Sequence, residues 1–125
     1  MSGFFAGCKS LVSFDMSNFQ SKNIINMEGM FEGCNLLISL NLSNVNTEKV
    51  TNMNSMFEDC ILLSSIDLSY FDTKNLKVMK SMFSKYYKIT SLNLSNINTK
   101  NVENMSGMFY ICHSLIFLYI SKFET

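Results

Sequence analysis

Apolar residues recur along this chain in two alternating phases. At Val50, Met53, Met56 and Phe57 they follow the i, i+3, i+6, i+7 spacing of one helix face. The face returns as Leu76, Met79, Met82, Phe83 and as Val102, Met105, Met108, Phe109. Thr47 precedes the first of these as an N-cap, and Glu48 falls in the first turn, where the helix dipole favours an acid. Ser21, Thr73 and Thr99 hold the same capping column, and Thr125 starts it again at the last residue. The pattern predicts helices of about three turns, too short to persist in water without packing on something. The period then shortens. Leu37, Leu40 and Leu42, followed by Val45, predict a short strand whose apolar side chains turn inward. Equivalent runs are Leu11/Phe14/Met16/Phe19, Leu63/Ile66/Leu68/Phe71, Ile89/Leu92/Leu94/Ile97 and Leu115/Leu118/Ile120/Phe123.

These phases repeat on a fixed beat. Met1, Met27, Met53, Met79 and Met105 are 26 residues apart, and Phe5, Phe31, Phe57, Phe83 and Phe109 share another column. The chain divides into units 1–26, 27–52, 53–78, 79–104 and a clipped 105–125. Such a period marks a stacked array in which each unit buries its apolar face on a neighbour. The strand motif L-x-x-L-x-L is the core of a leucine-rich repeat. The expected fold is an α/β repeat solenoid: a right-handed stack of strand–helix coils, with a parallel sheet on one face and short helices on the other. No polar capping unit closes either end, so the array reads as a fragment of a longer one whose ends fray or associate end to end.

Strand periodicity aims three columns away from the core. They run Ser13, Ser39, Ser65, Ser91, Phe117; Asp15, Asn41, Asp67, Asn93, Tyr119; and Ser17, Ser43, Ser69, Ser95, Ser121. At the usual spacing of about 4.8 Å between strands this is a flat surface rich in hydroxyls and amides. It either hydrates the sheet or forms an extended, weak contact surface, since the concave faces of repeat arrays are their usual binding surfaces. The candidate contact residues are Ser39, Asn41, Ser43, Ser65, Asp67, Ser69, Ser91, Asn93 and Ser95. Phe117 and Tyr119 break the columns in the last unit, as an aromatic hot spot or as a terminal coil that packs on further sequence.

Two motifs recur in register and carry a family resemblance. Asn-Met-x-x-Met-Phe-x-x-Cys occupies Asn26–Cys34, Asn52–Cys60 and Asn104–Cys112, and Ser-Leu-Asn-Leu-Ser-Asn-x-Asn-Thr occupies Ser39–Thr47 and Ser91–Thr99. The chain resembles the BspA-like leucine-rich repeats of bacterial and protist surface proteins along its whole length. Unit one departs with Phe4 in a Met column, and unit four with Lys85-Tyr86 where Gly-Cys or Asp-Cys is expected. The resemblance implies a cell-surface or secreted protein, in some members an adhesin for extracellular-matrix proteins or other cells. It implies no catalytic residue and no cofactor.

Composition removes several alternatives. The formal charge is zero, so neither nucleic acid nor an anionic membrane is an expected partner. No apolar run approaches the roughly 18 residues of a membrane span, and no signal peptide opens this segment. Lysines at 74, 77, 80, 85 and 88 follow acids at 28, 32, 48, 58 and 59, an acidic-to-basic gradient along the stack that is solvated or serves docking.

The remaining reactive side chains read as structure. Cys8, Cys34, Cys60 and Cys112 share one core-facing column. A linear ladder does not converge on a metal, and Cys60 to Cys112, two coils or about 10 Å, exceeds disulfide reach. They read as buried free thiols, although Cys34 is within reach of Cys8 or Cys60. His113 adjoins Cys112, but sequence neighbours diverge and make no nucleophile pair. The ten methionines are core filler, and three Asn-x-Ser sequons arise from the repeat columns. The leading expectation is a non-enzymatic protein-interaction module of a surface or secreted protein. A structural spacer or an intracellular protein-binding scaffold is the alternative.

Overall fold

In the computed structural model, which describes residues 1–124, stacked coils place each paired residue beside the one 26 positions on. Strand β1 (Ser13–Asp15) runs parallel to β2 (Ser39–Asn41), in the register Ser13–Ser39, Phe14–Leu40, Asp15–Asn41. Strand β3 (Ser91–Asn93) pairs with β4 (Phe117–Tyr119) in the same register. A second line of parallel bridges joins Asn26, Asn52, Val78 and Asn104. Thr125, the last residue of the capping column, lies outside the described residues.

The expected strand–helix stack is overturned. No described residue is helical, and the segments predicted as helices are ladders of overlapping turns. In the segment from Met27 to Cys34, the N–H groups of Met27, Gly29, Phe31 and Gly33 donate to Asn52, Asn54, Met56 and Glu58 carbonyls on the next coil at 2.8–3.0 Å. The intervening Met30, Glu32 and Cys34 donate three residues back, to Met27, Gly29 and Phe31. No N–H is left to make the bond four residues back that defines an α-helix. The same alternation carries Ser55, Phe57 and Asp59 to the fourth coil, and Ser81, Phe83 and Lys85 to the fifth.

The turn geometry has a sequence cause. Gly29 and Gly33 take φ of 57° and 70° at the third position of their turns, as type II turns require. Ser55, Asp59, Ser81, Lys85 and Ile111 are forced into the same left-handed region where the columns lack Gly. The inward side chains of this ribbon, Met27, Met30, Phe31 and Cys34, recur every three or four residues. Over eight residues that is indistinguishable from a helix face, which is why the apolar spacing predicted one.

The core fills the space between the walls. Phe5, Phe31, Phe57, Phe83 and Phe109 form one stack, with ring centroids 5.3–6.0 Å apart and planes within 17° of parallel. The column predicted as helix caps is a buried inter-coil clamp. Thr47 Oγ1 accepts the Asp72 N–H at 2.8 Å and donates to the Asp72 carbonyl at 2.9 Å. Thr73 holds Asn98 and Thr99 holds Glu124 in the same two-way manner. Each buried hydroxyl thus satisfies both backbone groups of one residue on the next coil.

The sheet is interrupted at the third coil. Ile38 and Ser39 donate to Val12, and Ile116 and Phe117 donate to Thr90, yet none of the N–H groups of Ser64 to Leu68 has an acceptor. Asn44 and Asn96 each reach back with Nδ2 to the carbonyl of Ser17 or Ser69 on the preceding coil. Tyr70 stands in that column in the third coil, and its ring cannot make the bond. The gap does not follow this outer side-chain column: the third and fourth coils are unpaired in the sheet although Asn96 bonds across them, and the fourth and fifth pair although Lys122 stands in that column.

Candidate interaction face

Strand alternation presents the sheet face. Ser39 and Asn41 on β2, Ser91 and Asn93 on β3, and Phe117 and Tyr119 on β4 are all exposed, while the central Leu40, Leu92 and Leu118 turn inward. Ser65 and Asp67 are also exposed, but they lie in the unpaired third-coil segment. Ser43 and Ser95 are half-buried, and Ser69 is exposed. The face is therefore a polar patch on β1–β2 and a polar-to-aromatic patch on β3–β4 flanking an open segment, where a single continuous ladder was expected. Between β2 and the third coil, a depression of about 400 Å³ is lined by Ile38, Ser39, Leu40, Ser65, Ile66 and Asp67.

The Asp15/Asn41/Asp67/Asn93 column is partly committed to the backbone. Each side-chain oxygen accepts the N–H two residues on, from Ser17, Ser43, Ser69 and Ser95, at 2.8–3.0 Å. These Asx turns bend the chain out of each strand. Two further columns do the same at other corners of the coil: Asn46, Asp72 and Asn98 in one, Asn26, Asn52 and Asn104 in the other. The bonds have an electrostatic consequence. The Ser17 backbone N–H and hydroxyl hold the Asp15 carboxyl below its ordinary pKa, and the Ser69 hydroxyl and N–H do so for Asp67.

The charge gradient is knitted between coils. Lys74 bridges Glu48 at 2.9 Å and Asp72 at 3.3 Å, Lys77 meets Glu103 at 3.1 Å, and Lys85 meets Glu58 at 3.5 Å. Exposed pairs of this kind contribute little to stability, but they leave the lysine-rich coil less bare than its sequence implies. Partial burial, then the neighbouring Glu58, raises the pKa of Glu32.

The reactive side chains are placed for packing. Cys34, Cys60 and Cys112 are free thiols donating to the carbonyls of Phe5, Phe31 and Phe83 at 2.9–3.2 Å. Burial pushes the Cys34 thiol up to about 11, and the Cys60 thiol is raised further. Tyr86 fills this column in the fourth coil, buried against Phe83, with its hydroxyl unpaired. His113 faces the Tyr87 ring at 6.4 Å. Among the described residues, no group of three or more His, Cys, Asp or Glu is arranged to hold a metal ion.

Sequence reasoning missed the exposed apolar fringe. Val12, Ile38 and Ile116 stand at the entry to the strands with roughly half or more of their surface exposed, and Tyr70 is 59% exposed at the exit. Tyr70 was readable as the aromatic break in the Asn18/Asn44/Asn96 column.

This geometry, parallel strands stacked at a fixed interval over a leucine and phenylalanine core, defines a leucine-rich-repeat-like fold. It is similar to the crystal structure of the T. pallidum leucine-rich repeat protein TpLRR, with a TM-score of 0.56 and 18% sequence identity over 94% of this chain. The chain spans 60% of the length of that structure, and at this identity the likeness speaks for the fold alone. A search of curated proteins found no match. The chain belongs to the family described as "Mycoplasma protein of unknown function, DUF285", whose profile matches residues 1–123.

Proposed function

We propose that the chain is a non-enzymatic protein-interaction module of a BspA-like surface or secreted protein, and that it acts in adhesion to host or neighbouring-cell proteins through its sheet face. The carrying observation is the exposed–inward–exposed alternation of β2, β3 and β4. It offers Ser39, Asn41, Ser91, Asn93, Phe117 and Tyr119 on one side of a fixed scaffold. Phe117 and Tyr119 supply the large rigid contacts that anchor interfaces, and the serines and amides supply a polar surround. Repetition along a longer parent array would add avidity to contacts that are weak one at a time. No helix among the described residues is long and apolar enough to cross a membrane. The test is retention of the chain on immobilised extracellular-matrix proteins and whole cells. Ser39→Lys with Ser91→Lys, and separately Phe117→Ala with Tyr119→Ala, are expected to abolish retention. Undiminished retention by both variants would remove the face from the account.

A structural spacer is the second reading, favoured by the Asx turns, because the side-chain oxygens of Asp15, Asn41, Asp67 and Asn93 already serve the fold. End-to-end self-association of the isolated 125-residue unit has its own support. The N–H groups of Met105, Gly107 and Phe109 and the carbonyls of Ser2, Phe4 and Ala6, the positions that join neighbouring coils elsewhere, have no partners among the described residues.

A further inference from the structure

At one corner of the junction between the second and third coils, Tyr70 puts an aromatic ring in the column that holds Asn18, Asn44, Asn96 and Lys122 elsewhere. The ring is 59% exposed and its hydroxyl has no partner among the described residues. It borders a groove of about 300 Å³ whose wall also carries Asn44, Asn46, Glu48 and Asp72. Much of that wall is fixed in place. Asn46 Oδ1 accepts the Glu48 N–H at 2.9 Å, and Asp72 Oδ1 accepts the Lys74 N–H at 3.1 Å. Lys74 Nζ ties Glu48 to Asp72 across the far side. Capacity nevertheless remains, because the Asn46 amide donors, the Asn44 side-chain oxygen and the second Glu48 oxygen make no bond to protein.

We infer that this corner is a binding site for a neutral saccharide, with the Tyr70 ring as its platform. The class follows from the chemistry of the wall. One Lys balanced by two carboxylates leaves no net positive charge to hold a phosphate or sulfate. The groove is open to solvent along its length and does not enclose a lipid chain. A pyranose ring presents an apolar C–H face, which suits the electron-rich face of an aromatic ring, and an equatorial fringe of hydroxyls that both donate and accept. Amides and a carboxylate beside one exposed ring match both. A second groove of about 390 Å³ continues past Asp72 and Lys74 along the same corner, lined by Ser69, Asn96, Asn98 and Lys122 among others, so the site extends to a second sugar unit.

Saturation-transfer NMR of the full chain with maltotetraose, chitotetraose and N-acetyllactosamine tests this. Saturation of sugar protons is expected for at least one of the three, together with shifts of the Tyr70 ring signals. Tyr70→Ala is expected to weaken binding by about tenfold, and Tyr70→Phe to retain most of it. Thermal melts of both variants exclude unfolding as the cause, since the side chain lies outside the core. Transfer to none of the three sugars, or equal affinity in Tyr70→Ala, overturns the inference. Binding that survives Ser39→Lys with Ser91→Lys separates this site from the sheet face.

Discussion

The turn ladder and the sheet face run along the same coils, yet one is continuous and the other is broken. In the ladder, alternate N–H groups cross to the next coil at each of the four junctions, and the Phe stack runs beside them without a gap. The sheet face joins first coil to second and fourth to fifth, and leaves the third unpaired. Sequence tolerance differs between the two. The core-facing columns of the ladder vary little, being Met and Phe in nearly every coil, and its left-handed turn positions accept Gly, Ser, Asp, Lys or Ile. The sheet face has no such uniform border: its outer column runs Asn18, Asn44, Tyr70, Asn96, Lys122, and Tyr70 lacks the amide that Asn44 and Asn96 extend to the preceding coil. Stability therefore resides in the turn wall and the core, while the sheet face is free to vary.

The largest expected effect comes from breaking the continuous side. Phe57 is stacked between Phe31 and Phe83 at 6.0 and 5.9 Å and is fully buried. Phe57→Ala should cost about 3–5 kcal/mol in denaturant unfolding. A loss well under that range would mean that the coils do not share one core. Next is the clamp. Thr73→Val keeps the shape but strips the Asn98 N–H and carbonyl of their partner, at about 1–3 kcal/mol, whereas Thr73→Ser should keep most of the stability. Equal losses in the two variants would assign the role to packing.

The broken side predicts a gain. Tyr70→Asn restores the amide that Asn44 and Asn96 use, and should add about 0.5–1.5 kcal/mol. The Ser64–Leu68 amides, which have no acceptors among the described residues, are expected to exchange faster than those of Ile38, Ser39 and Ile116 in the parent chain. The smallest effect is acid dependence. Asp67 has its folded pKa lowered, so the folded state binds fewer protons than the unfolded one. Its contribution is complete above the unfolded value near about 4 and is lost as pH falls through the folded one. Glu32, whose pKa is raised, acts with the opposite sign. Thermal melts across this range should show a shallower acid limb for Asp67→Asn, which keeps the Asx turn that Asn41 and Asn93 make.

Much of the stacking was legible in the sequence because it depends on identity at fixed intervals. The Met and Phe columns gave the period, and the L-x-x-L-x-L runs located the strands. What misled was the wall opposite. Met53, Met56, Phe57 and Cys60 are buried as a helix face would be, and over so short a segment the apolar spacing alone does not separate a helix from successive turns. The informative signal was small and polar. All five glycines of the chain, Gly3, Gly7, Gly29, Gly33 and Gly107, fall in two columns four residues apart, at positions that a helix interior disfavours. The Thr column was read as helix caps because a hydroxyl before an apolar run has that meaning locally, whereas its actual partners lie 25 residues away. The face residues were placed outward by simple alternation, but the gap at the third coil follows no periodic rule.

The central claim is that the wall opposite the sheet is built of turns, and Gly33→Ala tests it through the sign of one stability change. Gly33 has a φ of 70°, and a Cβ there would meet nothing nearer than 3.7 Å, so there is room for the methyl group and the backbone alone opposes it. The turn ladder predicts a loss of about 1–2 kcal/mol in denaturant unfolding. A helix through this segment would instead gain about 0.8–1.0 kcal/mol from the same substitution. A measured gain would contradict the turn ladder.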